Sequence, residues 1–167
     1  MLLEINRLFG LPAHPLLVHG AVVLVPLAAG AFIVTGAREA WRRSYYLPVA
    51  LAAIAGGVFA FLAKQSGEPL SQSVRRAGQH VGEHPENGDT AFFFAILFAG
   101  AVAAVYLFFR YESSIRSGLR IQSWPRLPIS YNTAFYLATI PLAVLAIFTM
   151  LVAGHSGAEL VWKTNAG

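Results

Sequence analysis

The chain has no cysteine, which excludes disulfides, thiolate metal sites and cysteine nucleophiles. It is also poor in charge. Only 12% of its 167 residues are Asp, Glu, Lys or Arg, roughly half the share found in soluble domains. There is no Cys-x-x-Cys-His for c-type haem and no His-Glu-x-x-His for a zinc protease. No basic stripe is interleaved with aromatics, so nucleic acid is not an expected partner. No small-residue cleavage site follows the first apolar run, so a cleavable signal peptide is not expected either.

What remains is apolar: 56% of the residues are hydrophobic. They gather into four runs, at about 15–35, 45–63, 90–109 and 134–153. A helix needs about 20 such residues to cross a bilayer. The fold expected is all-α: a single integral membrane domain, a four-helix bundle in a lipid bilayer. Pro15 suits the first turn of the first span, and Pro26 is expected to kink it. Trp41, Tyr45 and Tyr46 read as interfacial anchors. Between spans two and three, Leu70, Val74, Ala77 and Val81 recur at helical spacing. That pattern predicts a short amphipathic surface helix, broken by Pro85 and Gly88. The first 13 residues predict a short interfacial segment, and 158–163 one or two further helical turns.

Lys and Arg concentrate in cytoplasmic loops. The 36–44 and 110–130 loops hold seven basic and two acidic residues, net +5. The opposite side holds five basic and six acidic residues, net −1. Both termini are therefore expected on the outer side of a bacterial inner membrane. So are all five histidines: His14 and His19 at the mouth of span one, His80 and His84 before span three, and His155 after span four.

Histidine near a membrane can simply cap a helix, but five on one side point to a shared site, since imidazole is the commonest metal ligand. His19 and His155 are expected to ligate a redox centre, with His84 and His14 completing or supporting it. His80 lies off the apolar stripe and is read as an ordinary surface residue. His14 and His19 are about 140° apart on a helix; they can meet at one ion only if the helix starts after His14. Gln65 and Glu68 are candidates to orient an imidazole, and Arg75, Arg76 and Lys64 to pair with propionates.

Two chemistries fit. The first is haem b between histidines of facing helices, passing single electrons within a larger membrane complex or to a periplasmic carrier. The second is a non-haem Zn, Cu or Fe ion held by His19, His84, His155 and Glu68. A structural accessory subunit of a respiratory or photosynthetic assembly is the third reading. A transporter is disfavoured because the spans lack charged groups at depth. A hydrolase is disfavoured because Ser156, beside His155, has no placed acid.

Four short stretches carry a family resemblance: His14-Pro-Leu-Leu-Val-His19, Gln65-Ser-Gly-Glu68, Glu83-His84 and Gly154-His155-Ser-Gly157. Together they resemble the bacterial membrane family known as domain of unknown function 2231, over about 14–162. The resemblance implies a four-span protein with no assigned activity. Relatives joined to Rieske or c-type cytochrome domains imply redox work.

Overall fold

The computed structural model describes residues 7–8, 11–76, 78, 82–118 and 130–165. A two-stranded antiparallel hairpin comes first, β1 (Arg7–Leu8) and β2 (Leu11–Pro12), with Arg7 opposite Pro12 and Leu8 opposite Leu11. Four helices follow: α1 (Ala13–Gly36), α2 (Glu39–Arg76), α3 (His84–Gly118) and α4 (Tyr131–Asn165). Each contains a stretch long and apolar enough to cross a membrane. At 1.5 Å per residue, the 24 residues of α1 span about 36 Å, enough for a hydrocarbon core of about 30 Å.

The helices are longer than the apolar runs, because polar residues at the bilayer rim continue the same backbone. Only Ala37 and Arg38 separate α1 from α2. Glu39 in the first turn of α2 and Arg75 and Arg76 in its last complement the helix dipole. α2 runs through Pro69, so Leu70 and Val74 lie on α2 itself instead of on a separate surface helix. The rest of the expected surface helix, including His80, lies outside the described residues apart from Gly78 and Gly82. Those two glycines take positive φ, 77° and 55°, a conformation that costs glycine little. Pro85 and Gly88 do not end a helix; they sit in the opening turns of α3, where a proline lacks no needed N–H. α3 departs from helical geometry at Tyr111. α4 continues beyond the fourth apolar run to Asn165, over the expected extra turns.

Neighbouring helices pack round a ring in the order α1, α2, α3, α4, and α4 returns to α1. Many large apolar side chains face outward, unlike in a soluble bundle. The interior is dominated by small residues: Ala21, Ala28, Ala29, Ala53, Ala95 and Ala146 are buried. The exterior carries Val23, Leu27, Leu51, Phe93, Phe148 and Leu151, all more than half exposed. In water such a surface would aggregate. In lipid it is neutral, and small interior residues let the backbones approach closely.

One end of the bundle is closed by rings. Phe32 packs on Tyr46, Phe98 and Tyr136 at centroid distances of 5.9, 6.0 and 5.4 Å. The Tyr136 hydroxyl donates to the Ile33 carbonyl at 2.7 Å. Arg42, only 8% exposed, donates to the Thr133 hydroxyl at 3.3 Å and lies 5.9 Å from the Tyr136 ring centre.

A Cβ at Gly36 would fall inside the Tyr136 ring, whereas one at Gly30 would meet nothing within 4 Å. Gly36→Val is therefore expected to destabilise the bundle by about 1–3 kcal/mol through overpacking, while Gly30→Ala should be close to neutral. Unfolding of the purified protein in mixed micelles measures both. Equal stability of the two variants would contradict this packing.

Candidate functional site

The end opposite the aromatic closure holds a pocket of about 300 Å³. Its inner wall is apolar, with Val18, Ala21, Val22, Ala60, Ala91 and Met150 among its lining residues. Its rim carries Lys64, Glu68, Ser71 and Asp89. His14 and His84 line it from different helices, their ring centroids 6.3 Å apart and their planes at 71°.

Helix register decides which histidines reach the pocket. α1 begins at Ala13, one residue before His14, so His14 is already helical. It shares a face with the buried Leu17, Ala21 and Val25, at spacings of three, seven and eleven. His19, about 140° round the helix, is exposed on the outside of the bundle and donates from Nδ1 to the Pro15 carbonyl at 2.6 Å. On α4, the buried line runs through Ala146, Met150 and Ala153. His155 is two residues, about 200°, beyond Ala153. Its side chain is 77% exposed, with Nε2 3.4 Å from the Glu159 carboxylate. Of the expected ligands, His19 and His155 lie outside the pocket, and the structure brings together His14 and His84.

The other expected residues divide in the same way. Glu68 reaches the pocket rim. Gln65 is half-buried but does not line the pocket, and Arg75 and Arg76 are exposed at the end of α2. Lys64 is held at 2.6 Å by Asp89 across α2 and α3, with its Nζ 5.4 Å from the centre of the Phe92 ring. Among the described residues no three His, Asp or Glu side chains converge as a metal site. Of His19, His84, His155 and Glu68, the pocket is lined by His84 and Glu68.

Two serines fix the imidazoles. His14 Nδ1 lies 2.9 Å from the Ala63 carbonyl and 3.3 Å from Ser66 Oγ. A carbonyl only accepts, so in the neutral ring Nδ1 carries the proton and Nε2 the lone pair. His84 Nδ1 lies 3.1 Å from Ser156 Oγ, whose own proton goes to the Ala153 carbonyl at 3.0 Å. With its proton on that carbonyl the hydroxyl accepts from the ring, and the Ala153 carbonyl is a further acceptor for His84, an arrangement that favours the Nδ1–H tautomer here too. Neither Nε2 has a hydrogen-bond partner among the described residues. Ligating histidines characteristically donate their other N–H to a carbonyl or similar acceptor. Ser66 and Ser156 are not evident from histidine positions alone. Their signal is the Ser-Gly pair that recurs near the ends of spans two and four.

The glycines of those pairs make the floor. A Cβ on Gly67 would lie 2.7 Å from Cε1 of His14, and one on Gly157 2.9 Å from Cε1 of His84. Gly67→Val and Gly157→Val are expected to push the adjacent ring out of its place. Modification by diethyl pyrocarbonate, read residue by residue by mass spectrometry, should then speed up at His14 or His84 respectively and stay unchanged at His155. Unchanged rates at His14 and His84 would show that the glycines do not hold the rings.

A chain with four spanning helices and this motif set can be compared with known proteins. The family model described as a predicted membrane protein, DUF2231, matches residues 10–167. No curated protein and no solved structure is significantly matched. With nearly its whole length matched, the chain belongs to the DUF2231 family of predicted membrane proteins.

Proposed function

We propose that this protein holds a b-type haem between His14 and His84 near one face of the membrane and serves in single-electron transfer. The observation that carries this reading is the pair of bare Nε2 atoms on rings that share one pocket. The two rings stand 6.3 Å apart between centroids, on different helices, and His14 and His84 would hold the iron through Nε2.

The donor set favours haem over a bare ion. Two protein ligands suit a centre whose remaining positions are filled by a macrocycle. A free Zn, Cu or Fe ion wants three or four protein donors, and such a group is not assembled among the described residues. Asp89 is engaged by Lys64, and Glu68 is exposed at the rim. The alanine-rich wall supplies an apolar slot, in keeping with pockets of about 300–1,000 Å³ that bind small molecules. When bound, a bis-histidine haem supplies a one-electron couple without an open position for oxygen. The protein's own part is to aim both lone pairs, exclude water with Val18, Val22 and Phe92, and present a polar rim to a partner. Charge sorting supports an outward-facing site, with both termini outside, in a bacterial inner membrane. The partner is then a periplasmic electron carrier or a subunit of a membrane complex.

Purified protein should show a Soret band, with sharp α and β bands on reduction. His14→Ala and His84→Ala should each abolish them, and His19→Ala and His155→Ala should not. A blank spectrum with one tightly held metal ion would replace haem by a bare-ion site; blanks in both would sink the proposal. For the orientation, the cysteine-free background allows single labels. Ser73→Cys should react with an impermeant maleimide in intact cells, and Ser44→Cys only after the cells are opened. The reverse pattern would invert the topology.

A further inference from the structure

The two histidines sit in surroundings that repeat. His14-Pro15 opens α1 and His84-Pro85 opens α3. Ala63-x-x-Ser66-Gly67 lies in α2 and Ala153-x-x-Ser156-Gly157 in α4. Ser66 Oγ donates to the Ala63 carbonyl at 3.0 Å, as Ser156 Oγ does to that of Ala153, also at 3.0 Å.

The repeat runs through the core. Ala21, Val25, Ala28, Ala29 and Phe32 are buried on α1, and the positions 70 further on, Ala91, Ala95, Phe98, Ala99 and Val102, are buried on α3. Tyr46, Ala53, Ala60 and Ala63 are buried on α2, and the positions 90 further on, Tyr136, Ala143, Met150 and Ala153, are buried on α4. The ring order α1, α2, α3, α4 is what two hairpins give when related by an axis along the bundle, as in parallel repeats of membrane proteins.

We infer that the chain is two copies of one helical hairpin, and that Ser66 and Ser156 are equivalent positioning residues that turn both Nε2 atoms to a guest shared between the copies. The inference rests on the two-histidine reading of the site and adds the residues that set its tautomers. The two half-sites differ in one respect. His14 Nδ1 has the Ala63 carbonyl at 2.9 Å and Ser66 Oγ at 3.3 Å, whereas the near partner of His84 Nδ1 is Ser156 Oγ at 3.1 Å, with the Ala153 carbonyl as a second acceptor for the ring. The serine of the second copy therefore carries more of the orientation.

Nitrogen-15 NMR of histidine-labelled protein in micelles tests this without any cofactor, with ring signals assigned from His14→Asn and His84→Asn. Wild-type His14 and His84 should both have a protonated Nδ1 and a bare Nε2. Ser156→Ala should shift the His84 ring signals, leaving only the Ala153 carbonyl to hold its Nδ1 proton, and leave His14 unchanged. Ser66→Ala should shift His14 by a smaller amount, and Ser156→Thr should restore the His84 signal. An unchanged His84 ring in Ser156→Ala overturns the inference, as does a protonated Nε2 in the wild type.

Haemin titration of the same samples separates this from the haem reading. Loss of a ligand's hydrogen-bond partner typically weakens binding about 10–100-fold, and Ser156→Ala should fall in that range, with recovery in Ser156→Thr. If wild type takes up no haemin while the tautomers respond as expected, the haem reading fails and the positioning role stands. If haemin binds equally to all variants and the rings do not respond, the positioning role fails and the haem reading stands.

Discussion

Everything in this bundle depends on close approach between helices whose shared faces are nearly bare. Lipid gives apolar side chains no reason to turn inward, because the solvent is as apolar as they are. Association then rests on packing, and packing is best where alanine and glycine let backbones come near. Val25 Cγ2 would lie 2.9 Å from a Cβ on Gly56, a measure of how little space remains between α1 and α2. The same economy makes the pocket. Where Ala21, Ala60 and Ala91 face one another, the four helices leave a gap, and His14 and His84 line it.

The two ends of the bundle solve different problems with the same scaffold. At one end Phe32, Phe98, Tyr46 and Tyr136 fill the axis, and Arg42 joins α2 to α4 through Thr133. At the other, Ala21, Ala60 and Ala91 stand back. His14 and His84 reach across without filling the space. Packing at the first end sets the helices against one another, and helix register decides which side of each helix a histidine occupies at the second.

That dependence on register explains what could be read from the sequence. Four spanning helices follow from hydropathy and length, which tolerate errors of several residues. The rim histidines follow from the same blocks. The choice between His14 and His19 does not, because it turns on whether α1 starts before or after His14. A shift of one residue rotates a side chain by about 100°. His155 lies outside the pocket for the same reason: it neighbours Ser156, whose hydroxyl meets His84, and adjacent residues on a helix look in different directions. The duplication is hard to see because the corresponding positions are separated by two offsets. The link between α3 and α4 is longer than that between α1 and α2, and beyond His-Pro, Ala-x-x-Ser-Gly and the Tyr46–Tyr136 pair the shared residues are Ala, Gly and Leu, common in any spanning helix.

The aromatic closure also governs access. Phe32, Phe98, Tyr46 and Tyr136 fill the axis at one end, and the pocket lies at the other. Under the reading proposed above, a guest held by His14 and His84 would therefore load and unload through a single mouth.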